Sequence, residues 1–409
     1  MTRPHDYDLL IVGGGMVGAS LALALAGRGL RLGVIEAAVP GPDSQPSYDD
    51  RAIALAYGSR CIFDGLGVWP AIAPSAEAIR RIHVSDRGHF GFTRLDAADQ
   101  QVPALGYVVT GRELGGALIA AMRARDDIAL IAPARLTALR TEPDCVVATV
   151  RQGDETRELS ARLLVAADGG NSFVRETLGI PVRRWSYGQS AVIANITPER
   201  PHAGVAYERF TDTGPVALLP MREQRCALVW TVADDRVDEV LGHDDAAFLA
   251  RFQERFGYRL GRFTRVGRRV AYPLSFLRAL ESVRTRVAVI GNAAHTLHPI
   301  AGQGFNLGIR DVAALAEVVS QAQADGTDIG AAETLAAYDR WRRRDQQLVS
   351  LATDGLVRLF TNPLGPLRVA RNLGMLALDA LPFAKQVLTR AAMGTGGRLP
   401  RLGRGVSLD

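Results

Sequence analysis

The feature that most restricts how this chain can fold is a glycine triplet near its start. An apolar run, YDLLIV, leads directly into Gly13, Gly15 and Gly18. These are spaced as GxGxxG and followed by the alanine- and leucine-rich segment MVGASLALALAGRG and a second apolar run, RLGVIE. Strand, tight turn, helix and strand in that order open a parallel βαβ unit. The first glycine permits the turn, the second lets a pyrophosphate reach the backbone, and the third lets helix and strand pack closely. An anion held there meets the unpaired amides of a helix N-terminus. Glu36 closes the second run eighteen residues after Gly18, where a carboxylate accepts hydrogen bonds from a ribose diol. Its charge repels a ribose phosphate, so FAD or NAD fits better than NADP.

Length and composition exclude other classes. With 409 residues, 47% hydrophobic and 22% charged, the chain is an enzyme-sized globular protein of about two to three domains rather than a disordered one. The net charge of +5, from 48 basic and 43 acidic residues, is too small and scattered to indicate nucleic acid. Cys61, Cys145 and Cys226 are far apart and form no CxxC, so the sequence reads as neither a disulfide framework nor a thiolate zinc site, and a reducing compartment fits. Asp6 and Asp8 precede the first apolar run and no small-residue cleavage pattern follows, so a first strand is expected rather than a signal peptide. No stretch of 18 apolar residues occurs. A cytoplasmic protein is therefore expected. The late segment LRVARNLGMLALDALPFAKQVLTR reads as amphipathic helices that either pack on a domain or touch the inner membrane or a protein partner. The oligomeric state is left open.

Two further constellations carry chemistry. In RLLVAADGGNSFVR an apolar run ends on Asp168 and Gly169, with Ser172 and Arg175 in the turn and helix beyond. A carboxylate there can orient a ribityl hydroxyl or a nearby arginine, and the glycine opens the backbone. In TRVAVIGNAAHTLHPIAGQGFNLGIRD a buried strand reaches Gly291 and Asn292. Pro299 then precedes Gly302, Gln303 and Gly304, which let a flat ring approach, and a helix is expected to begin near Asn306. Amides at such a helix start can stabilise an anionic ring edge. His295 and His298 supply too few neighbouring ligands for a metal, and none is expected.

These segments together resemble the flavin-dependent aromatic hydroxylases of the para-hydroxybenzoate hydroxylase class, in order and over nearly the whole chain. The third segment is most similar to the ubiquinone-biosynthesis hydroxylases, in particular the branch acting on a polyprenylated 6-methoxyphenol. The resemblance implies an α/β fold: a Rossmann-like FAD-binding domain, a second β-sheet substrate domain and a helical C-terminal region. The expected boundaries are residues 1–74, 106–182 and 278–352 for the first, 75–105 and 183–277 for the second, and 353–409 for the third. GTGGR, from residue 394, reads as the start of a loose terminus.

Carried over residue by residue, the resemblance places Gly13, Gly15 and Gly18 at the FAD pyrophosphate and Glu36 at the adenosine ribose. Asp168 and Gly169 serve the ribityl and pyrophosphate region, and Arg51 and Arg112 lie near cofactor atoms. Asn292, Pro299, Gly302, Gln303, Gly304, Phe305 and Asn306 line the flavin loop. Asn292 stands where the class usually has aspartate, and it cannot supply an anion. NAD(P)H is implied as a transient reductant. Molecular oxygen then adds at flavin C4a, and the distal oxygen passes to a polyprenylated phenol. No catalytic base is assigned; His295, Pro299, Gly302 and Gln303 are the active-site loop candidates. A flavin dehydrogenase without oxygen insertion, or a non-catalytic FAD-bound scaffold, are the rival readings.

Overall fold

In the computed structural model, residues 5–39, 51–362 and 364–408 are described. Parts of the expected first domain at residues 1–4 and 40–50 lie outside these. Five parallel strands organise the first layer: β1 (Tyr7–Val12), β2 (Leu32–Ile35), β3 (Ile128–Ile131), β4 (Glu155–Ala166) and β5 (Val287–Val289). Their order across the sheet is β5-β4-β1-β2-β3. The connections leave β1 in opposite directions, so a crevice opens between the carboxyl ends of β1 and β4. Strands buried on both faces need apolar side chains throughout, which explains why LLIV, LGVI and LLVA read as continuous runs rather than alternations. The helices of this layer are α1 (Met16–Leu25) and α2 (Gly111–Arg123), then α3 (Gln303–Ala324) and α4 (Ala332–Thr361). The first half of β4 also pairs with an antiparallel meander, Arg135–Thr141 and Val146–Gln152.

A nine-stranded, mainly antiparallel sheet forms the second layer. Its centre is the 17-residue strand Val182–Pro198, bonded on one side to Cys226–Ala233 and on the other to Val270–Ala279. Alternation sorts its residues. Val192, Ala194 and Ile196 turn to a phenylalanine-rich core beneath the helix Asp245–Phe256, and Trp185 and Tyr187 turn toward the loop after β5. Strand His295–Thr296, inside that loop, bonds to Arg278 and Leu277, so the loop is stitched to the second sheet. A three-stranded sheet, Ala52–Ala56, Gly106–Thr110 and Glu77–Ile79, bridges the two layers.

Two helices complete the fold, α5 (Gly365–Ala380) and α6 (Pro382–Ala392). The expected loose terminus is instead folded. Residues after α6 return to the first layer, where Leu402 and Leu408 are buried in the main core and Trp341 Nε1 donates to the Arg398 carbonyl at 3.2 Å. Gly394 and Gly397 have φ of 68° and 75°, and these left-handed turns send the chain back rather than release it. Among the described residues no helix is long and apolar enough to cross a membrane.

Candidate active site

The three glycine-bearing segments end side by side. Ala167 N donates to the Val12 carbonyl at 2.8 Å, Ile290 N to the Ala166 carbonyl at 3.0 Å, and Gly13 N to the Ile35 carbonyl at 2.8 Å. Gly13 and Gly18 of the first loop are enforced by contact. Gly13 has φ of 99°, and a Cβ there would lie 2.4 Å from the Ala167 carbonyl oxygen; a Cβ on Gly18 would lie 1.9 Å from the Gly13 oxygen. Gly15 caps α1 without any side-chain hydrogen bond to the helix amides, so the N-terminus is left to a ligand. At the end of β2, Glu36 accepts from Gly14 N at 2.7 Å and from Ala38 N at 2.9 Å, which fixes the carboxylate beside the glycine turn.

Asp168 ends β4. Its Oδ2 accepts from Val174 N at 3.2 Å, but its Oδ1 is shielded from solvent and has no partner among the described residues. Burial pushes its carboxyl pKa up despite hydrogen bonds from Ser172 and local amides. A buried acceptor without a donor is costly and marks a place where a ligand hydroxyl fits. Ser172 caps the helix Phe173–Thr177 by accepting from Arg175 N at 3.1 Å. Arg175, buried, donates to the Gly170 carbonyl at 2.9 Å and to the Ala293 carbonyl at 2.9 Å, stapling the second loop to the third.

The third loop is held from below. His295 Nε2 meets Asp311 Oδ2 at 2.6 Å, Arg342 Nε donates to Asp311 Oδ1 at 2.8 Å, and Gln346 Nε2 donates to the same oxygen at 3.0 Å. Asp311 is fully buried; burial alone would raise its pKa, but Arg342 and His295 outweigh it and hold the carboxyl down at about 2. His295 thus anchors the loop through Nε2, and its buried Nδ1 has no hydrogen-bond partner among the described residues. His298 is fully buried, and Ile300 N donates to its Nδ1 at 3.2 Å, which leaves the proton on Nε2. That Nε2 has no partner among the described residues, the ring edge meets Tyr187 with centroids 5.2 Å apart, and burial pushes the pKa down to about 4.

The helix after this loop starts at Gln303, three residues before the expected Asn306, because Gly302 adopts a left-handed cap with φ of 60°. Gly304 has open space where a Cβ would be. Asn306 is occupied within the protein: Ala56 N and Ser59 Oγ donate to its Oδ1 at 2.8 Å, and its Nδ2 donates to the Ala54 and Gly302 carbonyls. Phe305 stacks on Phe63, so for both residues only the backbone is left for a cofactor. Gln303 Nε2 donates to the Ala392 carbonyl at 3.2 Å, which ties the loop to the end of α6. Pro299 and Asn292 are exposed. Arg51, whose carbonyl accepts from Gly111 N, lies over the Tyr272 ring at 4.7 Å, and Arg112 sits one residue into α2.

Above the loop, Ile300 packs in one apolar cluster with Phe210 of the second sheet, Phe360 of α4 and Met375 of α5. In the second sheet the segment SAVIANI sends Val192, Ala194 and Ile196 to the opposite face, whereas YPLSF brings Phe276 against Leu297 and Leu307 of the loop region. A cavity of about 380 Å³ lies between Trp185, Tyr187 and Gln189 and the α4 residues Val357, Arg358 and Thr361. The glycine cradle, the uncapped helix start and the orphaned Asp168 oxygen fit FAD.

The FAD binding domain family matches residues 6–350. Fold and loops thus define an FAD-dependent monooxygenase of the aromatic hydroxylase class. The ubiquinone hydroxylase UbiL of Rhodospirillum rubrum is 42% identical over 404 residues, covering 98% of this chain and 93% of the relative. The 3-demethoxyubiquinol 3-hydroxylase of Escherichia coli is 36% identical over 393 residues, covering 95% and 98%. The chain belongs to the family of FAD-dependent hydroxylases that contains these ubiquinone-biosynthesis enzymes. In fold it is similar to the p-nitrophenol 4-monooxygenase PnpA of Pseudomonas putida, with a TM-score of 0.79 at 19% identity over 96% of this chain and 99% of that one.

Proposed function

We propose that this chain hydroxylates the aromatic ring of a polyprenylated phenol on the way to ubiquinone, with NAD(P)H as reductant and molecular oxygen as the source of the inserted atom. One observation carries the reading: three distant loops meet at the β1–β4 crevice and face an apolar wall contributed by the second sheet and α4. In this reading Gly13, Gly15 and Gly18 hold the pyrophosphate of FAD, Glu36 its ribose, and Asp168 Oδ1 a ribityl hydroxyl, with Gly169 giving access. Arg51, Arg112 and Asn292 border the cofactor. Pro299 and the amides from Gly302 through Phe305 and Asn306 lie along the ring.

Bound FAD supplies hydride acceptance and oxygen activation. The chain's own task is to orient and to exclude water. Arg175 keeps two loops in one geometry, and Asp311 with His295 and Arg342 keeps the third from collapsing. Phe210, Ile300 and Phe360 shed water from the approaching ring. His298, neutral at physiological pH, presents a donor and no charge.

The wording of the third motif favours a 2-polyprenyl-6-methoxyphenol as substrate; the name of the Escherichia coli relative favours a different ring position. Incubating the FAD-loaded protein with both kinds of prenylated phenol, NADH or NADPH, and air, then mapping the new hydroxyl by NMR, decides between them. Consumption of NAD(P)H with no hydroxylated product from any prenylated phenol would refute the proposal and favour a dehydrogenase.

A further inference from the structure

The second sheet carries a cluster of cations that its own carboxylates do not neutralise. Alternation along the strand Val205–Thr211 turns Phe210 to the wall above the flavin loop, and Tyr207 and Arg209 to the opposite face, where Tyr207 meets the Phe256 ring with centroids 5.5 Å apart. The neighbouring strand Arg81–Asp86 sets His83 beside Tyr207, and the strand Phe92–Asp96 sets Arg94 beside His83. Arg259, just past the helix Asp245–Phe256, completes the cluster: its Nη1 donates to His83 Nε2 at 2.7 Å. A guanidinium can only donate, so this nitrogen of the buried His83 is an acceptor. Burial first, then Arg259, Arg94 and Arg209, push the His83 pKa down to about 4, so the ring holds a cation without adding one.

These guanidiniums are positioned without carboxylates. Arg94 lies over the Phe92 ring at 4.6 Å, Arg259 is held by His83, and Arg209 is half-buried beside Gly257, its Nε shielded from solvent and without a partner among the described residues. Arg81, on the same face, shows the usual arrangement, paired with Asp96 at 2.6 Å. The acids nearest the cluster are engaged elsewhere. Asp86 points to the other face, where Arg371 and Asn372 donate to it; Asp212 pairs with Arg87 and Arg255; Asp379 accepts from the Arg94 amide and lies 3.7 Å from Lys385. Like charges held this close repel one another. Arg209 registers it: burial first, then Arg259 and Arg87, lower its pKa.

We infer that Arg94, Arg209 and Arg259 form a binding site for a phosphate-bearing anion, on the face of the second sheet opposite the apolar wall of Phe210, Ile300 and Phe360. Planar guanidinium forks held in fixed orientations match the paired oxygens of a phosphate, and a polyvalent anion removes their repulsion. The site stands on its own residues and does not rest on the function proposed above. The test is isothermal titration calorimetry of the FAD-loaded full chain at constant ionic strength, with inorganic diphosphate and ADP as probes. Saturable binding of one diphosphate per chain supports the site; binding of ADP alone also supports it and identifies a nucleotide rather than the free anion as the ligand. R94Q and R259Q, at exposed side chains, each weaken binding about tenfold, whereas R81Q, which breaks only the Asp96 pair, leaves it unchanged. A second readout needs no substitution: the His83 ring resonances of the wild type shift with the probe and saturate with it. Absence of saturable binding of either probe, affinity unchanged in R94Q and R259Q, or a loss in R81Q as large as theirs would overturn the inference. Uptake of polyglutamate without either phosphate probe would overturn it too, and would make the cluster a contact for an acidic protein.

Discussion

Asn in place of Asp311 tests what holds the flavin loop. The carboxylate accepts from three side chains and has no exposed surface, and Arg342, its main partner, is itself buried. Asn keeps the shape but removes the charge and turns one acceptor into a donor facing donors. Breaking a buried pair from one side costs about 3–5 kcal/mol, because the remaining charge is stranded. Asp345, at 2.7 Å from Arg342, offsets part of this and places D311N toward the lower end. Urea unfolding followed by far-UV circular dichroism should therefore show a loss of about 3 kcal/mol. The sign with pH follows from the lowered pKa: the contribution is complete above the ordinary value of 3.8 and lost as pH falls toward about 2. The deficit of D311N is thus constant from about pH 5 to about pH 9 and shrinks below about pH 4. FAD retention on gel filtration falls with it, since His295 loses its anchor. A deficit under about 1 kcal/mol, or one that grows as pH falls, would refute the reasoning.

Three further outcomes are expected. G18A forces a Cβ into the Gly13 carbonyl, 1.9 Å away, so the purified variant should lack flavin absorbance; a variant with full flavin would contradict the loop's role. For His298, burial lowers the pKa from 6.5 to about 4, so its contribution to stability is complete above 6.5 and declines as pH drops toward 4. The span corresponds to about 3 kcal/mol, and H298F should lose that slope in denaturation midpoints between those values; an unchanged slope would assign it to another group. Deleting residues 393–408 removes buried Met393, Leu402 and Leu408, each contributing about 1.5–3 kcal/mol, and should lower the thermal midpoint sharply, whereas a dispensable tail would leave it unchanged.

What could be read in the sequence was what local spacing encodes. Gly13, Gly15, Gly18 and Glu36 belong to one βαβ unit, and their roles follow from short-range geometry. Asp168 could be read as a strand-end acid, but the bond of Arg175 to the Ala293 carbonyl could not, because that loop is more than a hundred residues away. The same holds for Asp311: Arg342 lies thirty-one residues on, in another helix, and nothing periodic links them. The start of α3 differs from the expected one because GQG looks like a turn, whereas only Gly302 is left-handed and Gln303 and Gly304 are already helical. The tail differs from its expected form for the opposite reason. Its glycines resemble a frayed end, but Leu402 and Leu408 find a core surface that exists only once the first layer has formed.

The most direct test of oxygen insertion is mass spectrometry of the product formed from a prenylated phenol under isotopically labelled molecular oxygen in unlabelled water. The account predicts that the new hydroxyl carries the heavy isotope. A hydroxyl drawn from water, or an oxidised product formed equally well without oxygen, would contradict it.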